Sequence, residues 1–244
     1  MCLLALFYRV VDDAPLVAGA NREEFYDRPG LPPQLHDLGG CRAVAGTDPR
    51  AGGTWFGVNE HGVMIAVTNR RDAPVPANPR SRGLLARDLL TLPSARVAAD
   101  AAGKELSTGR YAGCNVVCAD SDAAIVLHAA DWLRVAFLPV GIHVLSNGDV
   151  NDPGDERVRY ALSWLDGRGY IAGVQCVSAL QDLCGQAGGD GPAICLRGEG
   201  RGTVSSSILL VRDPISHGTY LHAQGSPDHT PYVDYSYLLR ELRR

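Results

Sequence analysis

Met1-Cys2-Leu3-Leu4-Ala5-Leu6-Phe7-Tyr8-Arg9 opens the chain. The apolar run is far too short to cross a bilayer and has no basic residues ahead of it, so it reads neither as a transmembrane segment nor as a secretory signal. Closed by Asp12, Asp13 and Pro15, it reads instead as a buried strand that starts almost at the terminus. Methionine removal is common before a small second side chain, and it would leave Cys2 with both a thiol and a free α-amine. Reference pKa values of about 8.5 for a thiol and about 7.7–8.0 for an α-amine put the two groups close enough for one to serve as base for the other near neutral pH. A nucleophile with its own base in a single residue is the chemistry this opening suggests.

Moving outward, Leu16 to Ala20 forms a second short apolar run that ends in the polar cluster Asn21-Arg22-Glu23-Glu24, and Pro29 to Pro33 reads as a loop. Thr54–Val58 and Gly62–Thr68 read as a hairpin that delivers Thr68-Asn69-Arg70-Arg71 at its far end. Leucine spacing predicts a helix over 81–92, with Ser81 as its cap, and a second follows over 94–106. Strands are expected at 112–119, 124–130, 133–138 and 142–146, helices at 155–166 and 174–184, and strands again at 204–212, 219–223 and 232–239. Hairpin connections dominate, which excludes a regular βαβ alternation. The expected class is α+β: two largely antiparallel sheets packed face to face, with helices on their outer faces.

Composition bounds the rest. At 244 residues, 45% hydrophobic and 20% charged, the chain fits a single domain over 1–244. A net charge of -4 gives no broad basic footprint for nucleic acid. Nearly all the basic residues are arginine, with Lys104 the only lysine. The seven cysteines include no Cys-x-x-Cys pair and no paired histidines, so no metal is expected, and most thiols read as small buried hydrophobes in a reducing, cytoplasmic setting.

Several ordered segments together resemble the NRDE family, which includes the transport and Golgi organisation protein 2 group. They are Met1-Cys2, Ala20-Asn21-Arg22-Glu23-Glu24, Gly53-Thr54-Trp55-Phe56-Gly57-Val58-Asn59, Thr68-Asn69-Arg70-Arg71, Leu145-Ser146-Asn147-Gly148 and Thr203-Val204-Ser205-Ser206-Ser207. The name motif reads Asn-Arg-Asp-Glu, and this chain has Glu23 at its third position. That family in turn resembles penicillin V acylases and bile-salt hydrolases, which implies a four-layer αββα sandwich of the N-terminal-nucleophile hydrolase type.

The resemblance implies a candidate catalytic set of Cys2, Asn69, Asn147, Arg22 and Glu24. Cys2 would be the nucleophile and Asn69 the side-chain donor to an oxyanion. Asn147 would hold the α-amine or the substrate carbonyl, and Arg22 and Glu24 would be the charged pair beside the nucleophile, unless the alignment slides by one and puts Asn21 there. Where the acylases carry an arginine, this chain has Ile208, with Arg212 further along. Arg70, Arg71, Arg80, Arg82 and Arg87 could rim a pocket for a carboxylate-bearing small molecule, or form a solvated face. The implied activity is hydrolysis of a non-peptide C–N amide bond, which requires no cofactor. The alternative implied by the same resemblance is haem binding or trafficking in the same cleft, with Cys2 as an axial ligand.

Overall fold

The computed structural model describes residues 2–71, 73–189 and 191–242. Met1, whose removal the sequence reading expects, lies outside them. Along the chain come β1 (Cys2–Val11), β2 (Ala14–Phe25), β3 (Leu31–Asp37), β4 (Arg42–Thr47), β5 (Phe56–Asn59) and β6 (Met64–Asn69). Helices α1 (Arg82–Leu89) and α2 (Ala95–Leu106) follow, then β7 (Cys114–Ala119), β8 (Ala124–Ala129), β9 (Leu133–Phe137) and β10 (Gly141–Leu145). The last part holds α3 (Glu156–Leu165), α4 (Gly173–Cys184), β11 (Arg201–Val211), β12 (Thr219–Ala223), β13 (Val233–Asp234) and α5 (Ser236–Glu241).

The strands form a six-stranded sheet in the order β10-β1-β2-β11-β12-β13 and a seven-stranded sheet in the order β3 to β9, with antiparallel pairing throughout. Strand alternation distributes the opening segment between two cores. Leu4, Leu6 and Tyr8 of β1 and Leu16 and Ala18 of β2 point between the sheets, onto Phe56, Met64 and Ala66. Leu3, Ala5, Phe7 and Val17 point the other way, onto Val158, Ala161 and Leu180 of α3 and α4. The second sheet's outer face, Ile65 and Val116 among it, packs on Leu85, Leu89, Ala98 and Ala102 of α1 and α2. Each fully buried leucine of this kind contributes about 1.5–3 kcal/mol of transfer free energy, and burial on both faces is why β1 reads as one unbroken apolar run. The result is the αββα sandwich.

Helix starts follow local chemistry. The Ser94 hydroxyl accepts from Val97 N–H, and the Asp155 carboxylate accepts from Arg157 and Val158 N–H. No helix among the described residues is long and apolar enough to cross a membrane.

Three expectations need correction. The proline-rich stretch is not only loop: Pro32 and Pro33 sit in β3, an edge strand, where a missing N–H costs no ladder bond on the open side. β2 does not end at Ala20 but runs through the charged cluster to Phe25. Residues 232–239 hold a two-residue strand and then α5, whose Leu238, Leu239 and the following Leu242 are buried at helical spacing.

Candidate active site

Cys2 is the first residue of β1 and stands directly opposite Arg22 of β2. Both continue the set of side chains that points between the sheets, but here, at the end of the sandwich, the apolar core gives way to a cleft of about 280 Å³. Cys2, Arg22 and Glu24 line it from the first sheet, and Trp55 and Asn69 from the segments of the second. The outer wall is the stretch that leads into α1, with Arg80 and Arg82. That wall is fixed by a close backbone approach: Thr54 N–H donates to the Gly83 carbonyl at 2.9 Å, and a Cβ on Gly53 would lie 2.2 Å from the Gly83 carbonyl carbon. Only glycine fits there.

Cys2 is half-buried. Burial pushes its thiol up, against the opposing pull of the amino terminus and of Arg22, and the Glu23 backbone N–H donates to the sulfur. In this environment the thiol is the favoured form at neutral pH, and a base is needed to take its proton.

The charged cluster divides by strand parity. Arg22 lies over the Trp55 ring at 4.5 Å and donates to the Arg28 carbonyl at 2.9 Å. Glu24 accepts from Phe25 N–H at 2.9 Å and pairs with Arg28. Asn21 points to the helical side, where its amide donates to the carbonyls of Cys184 and Ile194 at 2.9 and 3.2 Å. The geometry therefore puts Arg22, not Asn21, beside Cys2. Glu23, which the sequence reading left aside, is the buried carboxylate of the region. Arg157 of α3 clamps it with both terminal nitrogens and also donates to the carbonyls of Ala193 and Ile194. Desolvation pushes the Glu23 carboxyl up, while Arg157 and the amino terminus hold it down. Strand alternation could not have found it, because its partner comes from a distant helix.

Asn69 ends β6, is exposed, and lines the cleft. Asn147 does not reach the cleft. It is 2% exposed, and its amide donates to the Asn69 carbonyl at 2.7 Å. Its own carbonyl accepts from Arg71 N–H at 3.0 Å, and Thr68 Oγ1 donates to the Ser146 carbonyl at 2.8 Å. These bonds join the end of β6 in one sheet to the end of β10 in the other. Behind them Asn115 bonds Thr68 Oγ1, His128 Nδ1 and, with Gly148 and Asp149, Arg70. Burial lowers the His128 pKa to about 4, so its ring is neutral at pH 7.

The arginine rim is split. Arg80 and Arg82 line the Cys2 cleft, Arg70 and Arg71 line a neighbouring hollow with Asn147, and Arg87 faces a third depression beside Gly52. Ile208 is fully buried against the helices, and Arg212 pairs with Asp13 at the other end of the sandwich, so neither position supplies a guanidinium to Cys2. Among the described residues no histidine lines this cleft.

Two face-to-face antiparallel sheets between helical layers, with a cysteine at the tip of a central strand, define the N-terminal-nucleophile hydrolase fold. The Caenorhabditis elegans N-acylethanolamine-hydrolyzing acid amidase ortholog has this architecture, with a TM-score of 0.60 at 15% identity over 86% of this chain and 92% of that one. Penicillin V acylase from Agrobacterium tumefaciens aligns with a TM-score of 0.57 at 10% identity, over 98% of this chain and 89% of its own. At such identities the likeness concerns the fold. The chain belongs to the Transport and Golgi organisation 2 family, whose pattern matches residues 1–166. The mouse and cattle homologues of that protein are 37% and 36% identical to it over 81 residues, which is 31% of this chain and 28% of theirs.

Proposed function

We propose that the mature chain begins at Cys2 and hydrolyses a C–N amide bond in a non-peptide small molecule. The observation that carries this reading is that Cys2 and Asn69 face one cleft from opposite sheets, a nucleophile on one side and a non-titrating N–H donor on the other. The freed α-amine takes the thiol proton, and the sulfur attacks the amide carbonyl. The Asn69 side-chain amide donates to the oxyanion, the leaving amine takes a proton from the Cys2 ammonium, and water resolves the thioester. A buried thiol needs a base to become the attacking thiolate, and the freed α-amine of the same residue is the base at hand. Glu23, held by Arg157, is the carboxylate placed to steady the ammonium, and Asn147 acts one step back by pinning Asn69. Arg82, whose hydrogen bond goes to the Gly113 carbonyl rather than to a carboxylate, suits a substrate with an acidic group.

Haem does not fit these residues. A porphyrin needs apolar faces as well as an axial donor; Cys2 could supply the donor, but the cleft walls around it carry Arg22, Glu23, Glu24, Arg28 and Asp48. At about 280 Å³ the cleft also falls at the low end of small-molecule pockets, which run from about 300 to 1,000 Å³.

The test is intact mass combined with turnover on N-acyl amides with and without a carboxylate. A chain lacking Met1 that turns over one of them, and loses all turnover as Cys2→Ala, supports the reading. Undiminished turnover in Cys2→Ala, or full activity with Met1 retained, would overturn it.

A further inference from the structure

The other end of the sandwich holds a second group of reactive side chains. It lies roughly 23 Å from Cys2 by the rise of β2 between Arg22 and Pro15. There a Cys41 sulfur, a Glu60 carboxylate oxygen and a His61 ring nitrogen lie within 4.8 Å of one another. Cys41 immediately precedes β4, and Glu60 and His61 form the turn between β5 and β6.

The backbone under these three is rigid. Glu60 N–H donates to the Arg42 carbonyl at 2.9 Å, which locks the turn to the start of β4. Asn59, fully buried, accepts from His61 and Val63 N–H at 3.0 Å each and donates to the Leu90 and Leu92 carbonyls at 3.0 and 2.8 Å. Gly62 completes the turn at a φ of 77°, in the left-handed region. Ligand-bearing residues are thus set on a framework that does not depend on their own side chains.

The donor set is specific. Thiolate, imidazole and carboxylate together suit zinc-class ions, whereas magnesium and calcium take all-oxygen sites. Bonds of about 2.0–2.3 Å in tetrahedral geometry place ligand atoms about 3.3–3.8 Å apart, so the trio must draw in by about 1 Å. His61, exposed on its turn, can supply that by rotation. We propose that Cys41, Glu60 and His61 form a three-ligand site for a zinc-class divalent cation. Its fourth position opens to the hollow that Glu60 and His61 share with Ser121 and Asp213. On binding, the Cys41 thiol gives up its bond to the Leu90 carbonyl, at 3.4 Å, and releases its proton to solvent as the sulfur–metal bond forms. A search for Cys-x-x-Cys or paired histidines misses such a site, since its ligands come from separate strands.

The test uses the full chain, free of affinity tag, in a Cys2→Ala background that removes the half-buried Cys2 thiol as a competing metal ligand. Titration with Co2+ should show one equivalent and a thiolate-to-metal charge-transfer band, which Zn2+ then displaces. His61→Ala and Glu60→Gln should each weaken Zn2+ binding by at least ~10-fold with the near-ultraviolet circular dichroism unchanged. Cys41→Ser should abolish the charge-transfer band. Because Cys41 is buried and its variant can fail to fold, the two turn variants decide the matter. Absence of the band in the parent, or equal Zn2+ affinity in His61→Ala and the parent, would overturn the proposal.

Discussion

Cys2 and Asn69 face the same cleft, but the ground beneath each is built differently. Below Cys2 lies an ion pair: Glu23, a buried carboxylate, is clamped by Arg157 from α3. Behind Asn69 lies a network built on Asn115 and the neutral imidazole of His128, into which the largely buried Arg70 donates, and its carboxylate, Asp149, sits nearer solvent, where the guanidinium of Arg134 draws it down to about 2. The first arrangement pays desolvation for a charge held next to the nucleophile. The second buries a guanidinium, Arg70, on amide and carbonyl oxygens and leaves its carboxylate near the surface. One sheet therefore holds a buried carboxylate beside Cys2, and the other a neutral side-chain amide at the cleft.

The largest stability effect should come from breaking the ionic side. Arg157→Met leaves Glu23 buried with its main counter-charge gone and should cost about 3–5 kcal/mol, read from the urea midpoint at pH 7. The loss should shrink when the same titration is run at acid pH, where Glu23 is protonated. On the neutral side, Asn69→Ala removes an exposed residue and should leave the urea midpoint in place. It should lower kcat on any substrate found by about 10²–10³, or roughly 3–4 kcal/mol of transition-state stabilisation.

The two networks should also respond to pH with opposite signs. The Glu23 pKa is raised in the folded state, so its contribution is fully present below the unfolded carboxylate value and is lost as pH rises through the folded one. His128 falls from 6.5 to about 4, so its contribution is fully present above pH 6.5 and is lost as pH falls toward 4. The His128 effect should reach about 3 kcal/mol by linkage, measured as a melting-temperature drop that His128→Gln largely removes. A smaller stability loss than that of Arg157→Met should follow Asn147→Ala, which deletes one cross-sheet bond and should cost about 1–3 kcal/mol in denaturant unfolding. An Asn147→Ala stability equal to the parent would mean that the remaining bonds from Thr68 to the Ser146 carbonyl and from Arg71 to the Asn147 carbonyl, with packing, hold the two sheets at the cleft.

Much of this was legible in the sequence, and the gaps have physical causes. The layer order followed from hairpin spacing and from the unbroken apolar run of β1, because burial on both faces leaves a compositional mark. Cys2, Arg22 and Glu24 were brought together by the family resemblance, and the pairing of β1 with β2 supplies the reason: Cys2 stands opposite Arg22, and alternation carries Glu24 to the same face. The extent of β2 was hidden because Asn21 to Glu24 look solvated in one dimension, whereas Asn21 and Glu23 are satisfied by α3 and by the carbonyls of Cys184 and Ile194, and Arg22 and Glu24 by Trp55 and Arg28. β3 was hidden because proline argues against strands except at an edge, and edge position is a property of the sheet rather than of the segment. The scattering of Arg70, Arg71, Arg80, Arg82 and Arg87 into three depressions could not be read from their proximity in sequence. Nor could the position of Asn147 behind Asn69.

The bonds from Thr68 to Ser146 and from Asn147 to Asn69 make the gap between the Cys2 sulfur and the Asn69 amide a function of sandwich thickness. Stacked sheets lie about 10 Å apart, and that spacing is set by interior side chains remote from any reacting atom, such as Phe56 edge-on to Tyr220 with ring centroids 6.1 Å apart. The molecule works as a caliper whose jaws are opened or closed from the middle. Trimming Phe56 to leucine would then register as slower turnover while every cleft side chain stayed in place.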